Sequence, residues 1–326
     1  MEKSTAQTGV TQASFWTVGR GAFALALLAA ALFPVISGST FHFHIAIMIC
    51  LAIIATMGLG VIARVGQLSL CHGAFVGVGA YTSMLMVMRL DLPFMAGVVA
   101  AVVVTSLVAA LIGGPLLRLR GVYFVLITFA LNELFRLVML EFPGLSGGSS
   151  GIANIPAASF GSLVLDEKAT FYPLALISAV LVVALVALVD RSMIGRRFSA
   201  VEENITLAES TGIATARTQN LAFIIGSGIA GFAGALMAHY IGFLSPETFH
   251  FELSVSYIIM LVVGGRLALW GPVVGALILT PLPEFLRGAM EFQHVFYGVA
   301  LIVILSFLPN GLVSLPERLA RLGGRK

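Results

Sequence analysis

Uncharged apolar runs of about membrane length recur along this chain from residue 21 to residue 308, and no interval between them is both long enough and polar enough to hold a soluble catalytic domain. A run of about 20 apolar residues matches the hydrocarbon core of a bilayer, and backbone at that depth must satisfy its own hydrogen bonds. The fold class that follows is all-α: a polytopic integral membrane protein. Ten spans are expected, at roughly 21–37, 43–63, 67–88, 93–117, 121–140, 171–189, 219–243, 252–263, 271–286 and 293–308. Two of them, 252–263 and the Pro- and Gly-interrupted 271–286, are short and read as half-helices or one re-entrant pair. The stretch 21–37 follows Arg20 and precedes small residues, but its length makes it the first helix rather than a cleaved leader.

Charge placement orients this map. With ten crossings and an inside N-terminus, Lys3, Arg20, Arg64, Arg118, Arg120, Arg191, Arg196, Arg197, Arg217, Arg266, Arg318, Arg321, Arg325 and Lys326 fall inside. These are fourteen of the eighteen basic residues, leaving Arg89, Arg136, Lys168 and Arg287 outside or near an outer end. Positive charge marks cytoplasmic loops. The expected organisation is a cytoplasmic tail 1–20, a transmembrane domain 21–308 and a basic cytoplasmic tail 309–326. Five spans on each side of an outer loop at about 141–170 would give two halves of opposite orientation, although no residue-level repeat is visible.

The inner loop at about 190–218, "DRSMIGRRFSAVEENITLAESTGIATART", is the one extended cytoplasmic polar stretch between spans. Ser199 stands three residues before Glu202, a capping-box spacing, and predicts a short helix through about Ser210 that Gly212 stops.

Several chemistries are excluded or disfavoured. The lysines are Lys3, Lys168 and Lys326, none in a phosphate-loop setting, so ATP hydrolysis by this chain is not encoded. The histidines are scattered, the two cysteines (Cys50 and Cys71) lie in apolar segments, and no paired catalytic carboxylates appear. No catalytic residue, metal site, cofactor or nucleic-acid partner is expected.

The informative segments are those where polarity or glycine enters a span. "GQLSLCHGAFVGVGAYTSML", residues 66–85, and "GSGIAGFAGALMAHY", residues 226–240, are crowded with small residues. Gly73 with Gly77, and Gly231 with Gly234, are candidates for close helix packing. For Gln67, Ser69 and His72 two readings stand open, lining a cavity or bonding internally. In "TFALNELFR", Asn132, Glu133 and Arg136 share a span, with Glu133 and Arg136 at i,i+3; they are either pathway groups or an interfacial ion pair.

These blocks, with "LRLRGVYFVLITFALNELFRLV", "SGGSSGIANIP", "GRRFSAVEENITLAESTGI" and "GFLSPETFHFELSVSYIIMLVVGGRLALWGPVVGALI", occur in an order and spacing that resembles the LivM-type permease subunit of branched-chain amino-acid ABC importers, from about residue 58 to residue 287. The chain departs from that pattern at Cys71, where Gly is usual, and in "GGRLALWGP", where Gly-Gly-x-Gly-Ser ordinarily precedes Trp-Gly-Pro. The resemblance implies a multi-pass subunit of a bacterial inner membrane that forms half of a pathway for branched-chain amino acids or a related small solute. It implies as partners a homologous second permease, two cytoplasmic ATPase subunits and a periplasmic solute-binding protein. It also implies that the inner-loop helix, at Glu202, Glu203, Glu209 and Gly212, docks into the ATPase. The alternative is a stand-alone secondary transporter with inverted repeats, coupled to ions or protons through the Glu133–Arg136 region.

Overall fold

The computed structural model describes residues 27, 29–119, 121–161, 163–285, 298 and 311–314. The predicted tail 1–20, the tail 309–326 apart from residues 311–314, the span 293–308 apart from residue 298, and residues 21–26 and 28 of the first predicted span lie outside the described residues.

Helix α1 (residues 29–37) is followed by α2 (Thr40–Ala63), α3 (His72–Leu90), α4 (Phe94–Leu116), α5 (Val122–Glu141) and the single turn α6 (Pro143–Ser146). After a loop come α7 (Lys168–Arg191), α8 (Met193–Glu203), α9 (Ile205–Ser210), α10 (Thr215–Ile241), α11 (Phe251–Gly264), α12 (Gly271–Leu279) and the single turn α13 (Leu282–Phe285). Among the described residues, seven segments are long and apolar enough to cross a membrane: α2, α3, α4, α5, α7, α10 and Pro246–Gly264. The protein is an all-α polytopic membrane protein.

Helix α10 is the centre of the bundle and packs on α2, α3 and α4. Small residues make this possible, because lipid supplies no hydrophobic drive and association depends on close backbone packing. A Cβ added at Gly79 of α3 would meet the backbone of Gly231, one at Gly234 would meet the Val76 carbonyl, and one at Gly231 would meet Thr105 of α4. Gly58 and Gly226 oppose each other in the same way between α2 and α10. Gly231 and Gly234 thus lie at close helix–helix contacts. Gly73 and Gly77 face elsewhere: Gly73 lies against Ser254 and Asn132, and Gly77 under the rings of Phe135 and Phe249.

The two short predicted spans form a pair of packed helices. At 1.5 Å per residue, α11 with 14 residues and α12 with 9 reach about 21 and 14 Å by themselves, against a core of roughly 30 Å, and the first attains membrane length only with the turn at Pro246–Phe249 ahead of it. They pack on each other with Gly264 on the Gly271 carbonyl and Gly275 on the Met260 carbonyl. The turn between them forms without the family's usual extra glycine. Gly265, at φ +127°, takes the left-handed conformation, and Ala268 N and Gly271 N bond back to the carbonyls of Gly265 and Ala268 at 3.2 and 3.0 Å.

The two ends of the bundle are distinct. At one end Arg64 and Asp190 form a two-pronged ion pair at 2.7 and 2.8 Å, and Arg266 pairs with Glu202 at 2.5 Å. At the other, the loop after α5 folds over the ends of α3 and α10. Strand β1 (Ile152–Ala153) pairs antiparallel with β4 (Phe243–Leu244) in the register Ile152↔Leu244, and β2 (Ala158–Phe160) pairs with β3 (Leu163–Leu165). Buried His239 of α10 donates from Nδ1 to the Pro156 carbonyl at 2.7 Å, and its Nε2 meets Ser83 Oγ of α3 at 2.9 Å.

One local expectation is corrected. Ser199 is not the N-cap of the inner-loop helix; it sits inside α8 and its hydroxyl donates back to Gly195 O at 3.2 Å. The cap is Ser192, whose Oγ accepts from Ile194 N and Gly195 N, so the helix begins seven residues earlier. Asn204, with extended backbone, breaks the run, and its side chain caps α9 by accepting from Leu207 N at 3.0 Å. The third predicted span is corrected likewise: its helix starts at His72, and residues 67–71 are not helical.

Candidate functional site: a buried helix start capped from other helices

The site is built around the beginning of α3. His72 Nε2 donates to the carbonyl of Ala55 at 2.8 Å, and Ala55 lies eight residues, about 12 Å, before the end of α2. Asn132, halfway along α5, reaches the same level. After α2 ends, residues 64–71 therefore fold back into the bundle before α3 begins. Irregular backbone is tolerated at membrane depth only where protein or a water-lined cavity surrounds it, and here Val65, Gln67, Ser69, Cys71 and His72 are all buried.

A helix start leaves its first N–H groups without intrahelical partners. Cys71 at the cap position makes no side-chain cap. Side chains from distant helices supply the acceptors. Ser254 Oγ of α11 accepts from Gly73 N at 2.7 Å, Asn132 Oδ1 accepts from Ala74 N at 2.9 Å, and Thr128 Oγ1 accepts from Leu70 N at 3.1 Å. Ser254 also donates to Asn132 Oδ1 at 3.3 Å, and Asn132 Nδ2 donates to Phe249 O at 3.1 Å. Phe124, Thr128 and Asn132, each four residues apart, are the buried residues of α5. Three crossing segments are thus pinned at one point.

The polar residues read from the sequence divide into two places. Ser69 accepts from Cys71 N at 3.3 Å and lies 3.1 Å from Cys71 Sγ, and the His72 ring stands edge-on to Tyr257 at 6.0 Å. Together with buried Gln67 and with Asn132 they form the wall of the α3 start. Glu133 belongs to the end nearer the 141–170 loop. Arg136 bridges it, at 2.9 Å, to Glu247 at 2.8 Å. Glu133 Oε1 is buried with no partner among the described residues. Sequence reasoning missed Ser254, Thr128 and Glu247, and no local pattern announces any of them.

At the opposite end, α8, α9 and the start of α10 frame a second feature, a cavity of about 500 Å³ lined in part by Arg197, Gly212, Arg217 and Thr218. Glu202 is tied to Arg266, Glu203 is exposed, and Glu209 accepts from Thr215 Oγ1 at 2.7 Å. Gly212, at φ +85°, ends the helix in a Schellman arrangement, with Ile213 N on Ala208 O at 3.0 Å and Gly212 N on Glu209 O at 2.9 Å.

A bundle of membrane-length helices with a broken segment at membrane depth and an exposed amphipathic loop helix defines a polytopic membrane protein. Residues 41–308 match the family described as "Branched-chain amino acid transport system / permease component", and the chain belongs to that family. Among curated relatives, the chain is 30% identical to the high-affinity branched-chain amino acid transport system permease protein LivM of Salmonella typhimurium, over 92% of this chain and 76% of the relative. It is 26% identical to the corresponding LivH of Escherichia coli and to BraD of Pseudomonas aeruginosa, each over 82% of this chain and 91% of the relative. No solved structure matches.

Proposed function

We propose that this chain forms half of the translocation pathway of a binding-protein-dependent importer for branched-chain amino acids or a closely related small solute, in a bacterial inner membrane with both termini cytoplasmic. The family match over residues 41–308 carries the reading. Its LivM-like and LivH-like relatives support a second, homologous permease as partner. Energy comes from two cytoplasmic ATPase subunits, since no phosphate-loop motif is present in the sequence, and solute arrives from a periplasmic binding protein.

In this reading the α3 start is a fixed wall of the pathway. Gln67, Ser69, His72 and Asn132 hold the break open to neither lipid nor unpaired backbone, and Glu133 with Arg136 and Glu247 forms a charged group nearer the periplasmic mouth. Loop 190–218 is the ATPase contact, with Glu202, Glu203, Glu209 and Gly212 shaping it. ATP-driven movement of the ATPase pair shifts the permease pair between inward- and outward-facing states, which requires different contacts in each.

Reconstitution tests this. The four-subunit assembly with its binding protein should accumulate leucine only with ATP. The isolated chain should accumulate nothing under an imposed proton or sodium gradient. Gradient-driven uptake by the isolated chain would overturn the reading in favour of a secondary transporter.

A further inference from the structure

The cavity of about 500 Å³ framed by α8, the turn after α9 and the start of α10 is lined from two helices in the same way. Ile194 and Arg197 of α8 are three residues apart, and Arg217 and Leu221 of α10 are four apart, so each pair occupies one face of its helix. Each helix thus brings one arginine and one branched apolar side chain to a shared hollow.

The two arginines have no counter-charge. Among the described residues neither Arg197 nor Arg217 makes an ion pair or a hydrogen bond, no acidic residue lines the cavity, and none stands three or four residues from either. The carboxylates nearby in sequence are engaged elsewhere: Asp190 by Arg64, Glu202 by Arg266 and Glu209 by Thr215. The hydroxyl protons of Thr211 and Thr218 are spent on the carbonyls of Ala208 and Ala214, at 2.8 and 3.0 Å. What faces the hollow is therefore two guanidinium groups of like charge, whose mutual repulsion an anion between them would turn into attraction. The start of α10, where Ala214 supplies no side-chain cap, adds its dipole with the same sign.

The level of the cavity identifies the anion. Arg217 lies in the first turn of the membrane-length helix α10, and no Asp, Glu, Lys or Arg follows it up to Ile241. The arginines therefore stand where lipid headgroups lie, and Leu221, one turn further into the apolar run and 38% exposed, stands where acyl chains begin. Basic pockets beside membrane helices take acidic headgroups, and the guanidinium fork matches two oxygens of a phosphate. The volume is within the range of about 300–1,000 Å³ usual for small-ligand sites.

We propose that this cavity binds an anionic phospholipid. Arg197 and Arg217 clamp its phosphate from α8 and α10, and Ile194 and Leu221 receive the start of an acyl chain. The lipid then ties the loop helix to the membrane helix. This site goes beyond the transport reading and holds whatever the solute is.

The test uses the full chain in mixed micelles with equal mole fractions of phosphatidylglycerol and phosphatidylcholine, with retained lipid counted by native mass spectrometry and the melting temperature read in parallel. The wild type should retain phosphatidylglycerol preferentially by about tenfold or more, and Arg197→Gln and Arg217→Gln should each cut that preference about fivefold, the share one basic residue carries near an acidic membrane surface. The double variant should show no preference, and phosphatidylglycerol should raise the melting temperature of the wild type but not of the double variant. Both arginines are exposed, so neither substitution opens the core. Arg196→Gln, also exposed on α8 but outside the cavity, should leave the preference unchanged. An equal loss in Arg196→Gln would mean diffuse surface charge rather than a site, and overturns the proposal. Inorganic phosphate that stabilises the wild type as much as phosphatidylglycerol does would assign the cavity to a free anion, and overturns the lipid. So does a double variant that sheds the ATPase from the assembly while keeping its phosphatidylglycerol preference, since the arginines would then serve the partner subunit. None of these readouts involves the solute, so their failure leaves the permease reading standing.

Discussion

Asn132 Oδ1 of α5 accepts the backbone N–H of Ala74 at the buried start of α3, at 2.9 Å, across 58 residues of sequence. The same amide donates to Phe249 O at 3.1 Å, so one side chain satisfies a helix end on one side and a loop carbonyl on the other. Removing it orphans both. A buried unsatisfied donor or acceptor costs about 1–3 kcal/mol.

Asn132→Ala should therefore lower stability by about 1–3 kcal/mol per group left unpaired, read as a lower melting temperature in detergent. Ser254→Ala, which frees the Gly73 N–H, should cost less, because Asn132 Oδ1 keeps the Ala74 bond. Since Ser254 and Asn132 bond each other at 3.3 Å, the double variant should depart from additivity. Additive losses would show that the two caps act separately.

Small residues on the central helix give a second expectation. Gly79→Ala and Gly234→Ala each put a methyl group onto backbone, at Gly231 and at Val76, which cannot swing away as a side chain can. Both should lower the melting temperature and the yield of folded protein. Gly114→Ala in α4 has nothing within 4 Å and no left-handed backbone. It should be neutral or stabilise by about 0.4–1 kcal/mol. Equal behaviour of the three would mean that the α3–α10 crossing is not tight.

Much of this was legible in the sequence, and the exceptions have physical causes. The apolar runs gave α2, α4, α5, α7 and α10, because bilayer thickness fixes their length. The paired helices α11 and α12 showed in short apolar runs interrupted by Gly and Pro. Glycine and polarity in residues 66–85 signalled an irregular, closely packed segment, but not where α3 starts. The acceptors at that start come from Thr128, Asn132 and Ser254, and no local spacing encodes a cap supplied by another helix. Gly79 is one of several glycines in residues 66–85 and does not stand out beside Gly73 and Gly77, because sequence does not say which of them faces α10. The Ser199–Glu202 spacing misled for a different reason: Ser192 already starts that helix, and Ser199 falls one face further on inside it.

Topology makes a third prediction. Arg64, Asp190, Glu202 and Arg266 cluster at one end of the bundle, and the 141–170 loop covers the other. Single cysteines at the exposed positions Ser149 and Ser199, in a background with Cys50 and Cys71 replaced, should react with a membrane-impermeant thiol reagent from opposite sides. By the excess of basic residues at the Ser199 end, that side should be the cytoplasmic one. Labelling of both from one side would rule out the charge-based orientation.

The last prediction concerns the loop helices α8 and α9. Glu209 is exposed and accepts from Thr215 Oγ1 at 2.7 Å, while Gly212 closes the helix at φ +85°. If this surface docks an ATPase, Glu209→Lys reverses a charge at the contact, and Gly212→Val forces a β-branched residue into a conformation that glycine tolerates best. Both should reduce co-purification of the ATPase and uptake together, with the chain still folded in the membrane; a lost contact of about 1.4 kcal/mol is a tenfold loss of affinity. Thr215→Val separates the two roles of Glu209, since it removes the hydroxyl that Glu209 holds and leaves the carboxylate in place. It should keep the ATPase bound. Were Thr215→Val as damaging as Glu209→Lys, the carboxylate would be serving the junction between α9 and α10 rather than a partner. Were both Glu209→Lys and Gly212→Val to bind ATPase and transport at the normal rate, the loop would be a linker and the coupling contact would lie elsewhere.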